Sequence, residues 1–175
     1  MDFRFLELAF EAIDLRSFSN LWFWIALAAL WSTASHWIVG VPFDLVRRAA
    51  SGDGQALADM EALARIHARR LTEIADRAGL VIVALLCFAI TSFALAGFLY
   101  GFEFAQAVLL LLIPMTLVGA ILLRAARRVP GLDVADLGNL LYRTRRTIQF
   151  VGIVSIFVTS MWGMWVNLNM SVLHP

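Results

Sequence analysis

The stretch Leu21–Val41, LWFWIALAALWSTASHWIVGV, decides how the rest of this chain is read. As one helix at ~1.5 Å per residue it is about 31 Å long, enough to cross the hydrocarbon core of a bilayer. It holds one histidine, His36, in its second half. Three comparable apolar blocks follow, at 79–100, 105–123 and 148–168, and the polar segments fall between them. The sequence therefore predicts an all-α polytopic membrane protein, a single membrane domain over 1–175 with four transmembrane helices.

Composition agrees. The chain is 61% hydrophobic and 15% charged, with a mean hydropathy of +0.81. A soluble domain would sit nearer half apolar and a quarter charged. Here the excess is packed into four blocks, which leaves no room for a separate globular domain. All 14 basic residues are arginine, a pattern that coding bias explains without any mechanism. The net charge of +1 gives a nucleic-acid role no support. The single cysteine, Cys87, excludes an internal disulfide or a four-thiolate cluster and reads as a small core residue. Residues 1–20 mix Asp2, Glu7, Glu11 and Asp14 with Arg4 and Arg16, unlike a cleavable signal peptide, so the first span serves as the insertion signal.

Outward from the first block, Phe3, Leu6, Phe10 and Ile13 predict an amphipathic helix over 3–15 within the segment 1–20. Ser17–Asn20 supplies groups to cap the first span, and Trp22, Phe23 and Trp24 begin an interfacial aromatic belt. Pro42 suits the start of a short helix lying near the membrane surface, and Ser51–Gly54 (SGDG) is a turn. Residues 55–78 form an amphipathic helix with a stripe of Leu57, Met60, Ala64, His67, Leu71 and Ile74, continuous with the second span. The link 101–104 is short enough to force an antiparallel helix pair. Gly97 and Gly101 at its mouth are spaced as GxxxG. Pro114 should kink the third span, with Thr116 or a neighbouring helix answering the freed carbonyl. Asp133 or Asp136 starts the last helix. On its apolar part, Gly152, Ser155, Thr159 and Gly163 share a face that reads as a packing seam, followed by a short tail from Asn169.

Arginine sets the orientation. Segments 42–78 and 124–147 hold six arginines each, while the 101–104 link and the C-terminal tail hold none. Both rich segments are expected in the cytoplasm and both termini in the periplasm. Trp22, Trp24, Tyr100, Trp162 and Trp165 then gather at the outer interface.

His36 is the sharpest candidate site, since an ionisable residue in a span is a functional hypothesis by default. In Ser32-xxx-His36-xxx-Gly40, small residues one turn either side leave room for a macrocycle. This setting resembles the histidines of purple-bacterial light-harvesting polypeptides, which implies bacteriochlorophyll ligation, although those histidines lie at the other end of an oppositely directed helix. The plainer reading is a neutral imidazole hydrogen-bonded to a neighbour, with Ser32, Thr33 and Ser35 lining a polar seam beside it. A bis-histidine haem would need a second copy or another axial ligand, because His67 and His174 belong on opposite sides of the membrane. No cofactor is predicted otherwise. With no nucleophile elbow, P-loop or dinucleotide fingerprint, and no acidic residue in the membrane-embedded segments (Glu103 sits in the outer link), the residues point away from an enzyme or a proton-coupled transporter. Arg124, Arg127, Arg128, Arg143, Arg145 and Arg146 form a basic group suited to anionic lipid heads or to a partner with an acidic face.

The runs IDLRSFSNLWFWIALAALWSTASHWIVGVPFDLV, YGFEFAQAV and SIFVTSMWGMW resemble small alphaproteobacterial inner-membrane proteins of unassigned role. Some of these are described as components of a SufBCD complex for iron–sulfur assembly. The resemblance implies a bacterial inner-membrane origin. Since this chain has no cluster ligands, it implies physical association at most. The expected function is a non-catalytic accessory or assembly subunit whose partners are membrane lipids and other integral membrane subunits. A pigment or haem protein using His36, or a small homo-oligomeric channel, are the competing classes.

Overall fold

A computed structural model describes residues 17–172, with side chains from 18 to 168; the helix expected over 3–15 and His174 lie outside the described residues. Helices dominate: α1 (Leu21–His36), α2 (Phe43–Ala50), α3 (Gly54–Ala94), α4 (Glu103–Ala126) and α5 (Val134–Val172). Three of the helical runs, Gly54–Leu99, Glu103–Gly131 and Val134–Leu168, are long and apolar enough to cross a membrane.

The first apolar block is not one 21-residue helix. Asn20 caps α1 by accepting a hydrogen bond from the Trp22 amide, 3.0 Å away, but the helix stops at His36. Its 16 residues reach ~24 Å, short of a full crossing. The chain then doubles back in a two-stranded hairpin, β1 (Trp37–Ile38) and β2 (Val41–Pro42), pairing Trp37 with Pro42 and Ile38 with Val41. Val39 and Gly40 both adopt positive φ, 51° and 73°, as a two-residue hairpin turn with the right twist demands. β-Branched residues favour the strand over another helical turn, and burial of Ile38, Val39 and Val41 rewards it.

The hairpin and α2 cover the first half of α3. Asp53 caps α3, accepting from the Gln55 and Ala56 amides at 3.1 Å. The buried stripe of α3 is Ala56, Met60, Ala64 and Ala68, facing Leu45, Val46 and Ala49. Of the expected stripe, Met60 and Ala64 are buried and Leu71 packs against the core, whereas Leu57 and Ile74 are exposed and Ala56 and Ala68 are buried in addition. Alanine wins the inner face because a small side chain lets a second helix come close, an advantage that hydropathy does not register. Leu137, Leu141 and Val129 complete this core.

Beyond Arg77, α3 changes character. Leu80, Leu85 and Phe88 are 62–85% exposed, and Cys87, expected in a core, is exposed too. The helix loosens into a π-helical turn, Leu95–Leu99, and Gly101 (φ 72°) reverses the chain into α4, which begins at Glu103. Thr116 donates to the Ile113 carbonyl at 2.6 Å, so it does not answer the carbonyl that Pro114 frees at Leu110. Asp133 caps α5, accepting from the Asp136 amide at 2.8 Å, and α5 runs on to Val172 through the expected tail.

The long helices stand in an open row, α3 beside α4, α4 beside α5, and α5 beside α1. α1 runs antiparallel to α5 along most of its apolar length. Phe18 lies against Gly163, Trp31 against Gly152, and the end of α1 lines a cleft with Arg145. One end of the row is rich in arginine and the other in tryptophan.

Candidate functional site

The arginine end divides the basic group between separate surfaces. Arg127 pairs with Asp76 of α3 at 3.3 Å, and Arg146 is exposed. Arg145 leans the other way, its guanidinium carbon 3.5 Å from the centroid of Phe43, whose ring meets Tyr142 edge-on. Arg124, Arg128 and Arg143 line one cleft of about 460 Å³ between the end of α4 and the start of α5, with Asp136, Asn139 and Thr144. None of these three makes an ion pair among the described residues. Spacing explains the split: Arg128, in the turn after α4, follows Arg124 by four residues, whereas Arg143 and Arg145 point about 160° apart on α5.

His36 closes α1 and is about half exposed, its Nε2 3.8 Å from a carboxylate oxygen of Asp44. Asp44 was out of consideration in the sequence because the hairpin that returns it was not foreseen. With Ser32, Thr33, Ser35, Trp37 and Arg145, His36 lines an open polar cleft of about 360 Å³. Trp37 meets the imidazole edge-on at 5.7 Å. Gly40 does not lie one turn beyond His36, because the helix has ended; it packs against His67 instead.

The small residues of the apolar region serve different contacts. Gly152 admits Trp31, and Gly163 admits Phe18. Ser155 and Thr159 line a groove between α4 and α5, and their buried hydroxyls have no hydrogen-bond partner among the described residues. Gly97 sits against Gln106, while Gly101 lies in the turn with open space around it, so these two glycines do not form one seam.

Two polar residues at the tryptophan end escaped the sequence reading. Gln106 donates to the Gly97 carbonyl at 2.8 Å and accepts from Trp162 Nε1 at 2.9 Å, joining α3, α4 and α5. Glu103, expected in an outer link, is buried at the start of α4 and accepts the Phe18 amide at 2.7 Å. A carboxylate there also faces the positive end of the helix dipole. The signal for both was available in principle, as polar residues flanked by apolar ones, but their partners are distant in sequence. Compared with protein-family models, curated proteins and solved structures, the chain matches none.

Proposed function

We propose that this chain is a non-catalytic accessory or assembly subunit of a larger bacterial inner-membrane complex, held by lipids and by other integral membrane subunits. The observation that carries this reading is the outer surface of the α3 extension. α2 and the hairpin brace that extension on one side. On the other, Ile66 stands 52% exposed. At ~1.5 Å per residue, Ile66 lies about 20 Å before Gly79, beyond the reach of the hydrocarbon. Exposed large apolar side chains on a rigid, water-facing element suit a protein contact.

The proposal includes four crossings, with the arginine end cytoplasmic and both termini periplasmic. Support for α1 as a crossing is its alignment with α5, from Phe18 at Gly163 to the Arg145 cleft. The 3-10 turn Ser17–Ser19 lengthens the crossing at the tryptophan end. Single cysteines at 60 and 135 in a Cys87→Ser background should both label from the cytoplasm; labelling from opposite sides defeats this topology. Extraction in mild detergent without crosslinker, followed by native mass spectrometry, should recover other membrane subunits. A protein that migrates only with itself and conducts ions in bilayers would be the homo-oligomeric channel.

The pigment or haem reading of His36 has less support, because the residues around the imidazole are hydroxyls, a carboxylate and a guanidinium. A Soret or near-infrared band lost in His36→Ala would restore it.

A further inference from the structure

The arginine cleft does not end at the arginines. From Arg128, in the turn after α4, its lining residues continue at helical spacing along α4 through Arg124, Ile121, Leu117, Pro114 and Leu110. On α5, Leu140, Thr144 and Thr147 continue in the same way through Val151, Val154 and Val158, with Arg143 and Asn139 beside them at the cleft end. The second set lines an apolar groove of about 460 Å³ between the same two helices. From Thr147 to Thr159 the groove runs ~18 Å at the rise of an α-helix. That is close to the ~15 Å half-thickness of a bilayer's hydrocarbon core.

We propose that this cleft and groove together form the seat of one anionic phospholipid. Its phosphodiester is held by Arg124, Arg128 and Arg143, and an acyl chain lies between α4 and α5. Charge complementarity chooses the occupant. Three guanidinium groups line it with one carboxylate, Asp136, and none is in an ion pair among the described residues. Guanidinium forks match phosphate oxygens, and Asn139 adds an uncharged polar group beside them. A free anion would answer the arginines but leave the groove empty. A zwitterionic lipid would fill the groove but bring its own cation to a basic cleft. The hydroxyls of Ser155 and Thr159 present no obstacle, since both can turn onto carbonyls one turn back when a chain covers them. The inference deepens the lipid-contact part of the function proposed above. It needs α4 and α5 to be embedded, but no host complex.

The test uses the full chain purified in mild detergent and exchanged into mixed micelles of phosphatidylglycerol and phosphatidylcholine with identical chains. Native mass spectrometry should show one retained phosphatidylglycerol, preferred at least about tenfold. Arg124→Gln/Arg128→Gln/Arg143→Gln should remove the preference, while Arg47→Gln/Arg48→Gln/Arg69→Gln, with the same charge loss elsewhere, should keep it. Leu117→Trp/Val154→Trp, which fills the groove from half-exposed positions, should lose the lipid with its arginines intact. Inorganic phosphate in millimolar excess should not displace it. Equal retention of both lipids, equal loss in the two arginine triples, an unaffected tryptophan variant, or displacement by phosphate would each overturn the proposal. Helical circular dichroism and monodisperse migration identify variants that have unfolded. Arg143→Gln alone, at an exposed position, is the fallback and should weaken the preference several-fold; no change overturns the proposal. Failure with the protein still in micelles leaves the accessory-subunit reading standing, because that reading is judged by co-purifying chains.

Discussion

Gly40 and His67 are packed so closely that a Cβ on the glycine would run into the imidazole ring. One residue comes from the hairpin turn and the other from the α3 extension, so this contact sets how the hairpin sits on the helix. Gly40 also needs its positive φ of 73° to close the turn.

Gly40→Ala should therefore destabilise the arginine end by about 2–4 kcal/mol, combining overpacking with a left-handed backbone position. Thermal unfolding in detergent would measure it. The double variant Gly40→Ala/His67→Ala should recover the overpacking part and leave the backbone part. If the two changes simply add, the contact is not the cause.

Gln106 joins three long helices through two hydrogen bonds, to Gly97 and Trp162. Polar links between membrane helices contribute roughly 0.6–1.7 kcal/mol each. Gln106→Leu should cost about 1–3 kcal/mol and change the tryptophan emission of the folded protein, since the indole of Trp162 loses its acceptor. An unchanged spectrum with unchanged stability would remove Gln106 from this role.

Glu103 should be replaceable by glutamine, which keeps a carbonyl acceptor for the Phe18 amide, but not by alanine. Glu103→Ala leaves that buried N–H unsatisfied, at about 1–3 kcal/mol. Hydrogen exchange at the Phe18 amide should accelerate at least about tenfold in Glu103→Ala and little in Glu103→Gln. Equal exchange in both variants would mean that the carboxylate oxygen does not protect the amide.

The packing of α1 on α5 can be read from a disulfide. Ser19 donates to the Asn167 side chain at 2.7 Å, so Ser19→Cys/Asn167→Cys in a Cys87→Ser background should crosslink readily on oxidation. Gly152→Ile places a branched side chain where Trp31 lies, its Cε3 2.9 Å from the Cβ position. Crosslinking should then fall several-fold. Undiminished crosslinking would show that Trp31 and Gly152 do not hold the two helices together.

Much of the architecture was legible because solvent exclusion acts through local pattern. The apolar blocks after Gly79, the SGDG turn, the Asp133 cap and the unbroken helix from Gly54 each follow from neighbouring residues, where helical period and capping chemistry operate. What only the tertiary structure decided depends on partners far apart in the chain. The hairpin after His36 wins over another helical turn because Ile38 and Val41 are buried against α2 and α3. Asp44 reaches His36 because that hairpin returns it, and Glu103 is buried because Phe18 arrives from 85 residues away. The six arginines of the 124–147 segment read as one group in sequence, yet three share a cleft and the others face Asp76, Phe43 and solvent. The physical reason is common to all of these. Hydropathy fixes which segments leave water, but side-chain size and hydrogen-bond satisfaction between distant segments fix which faces meet.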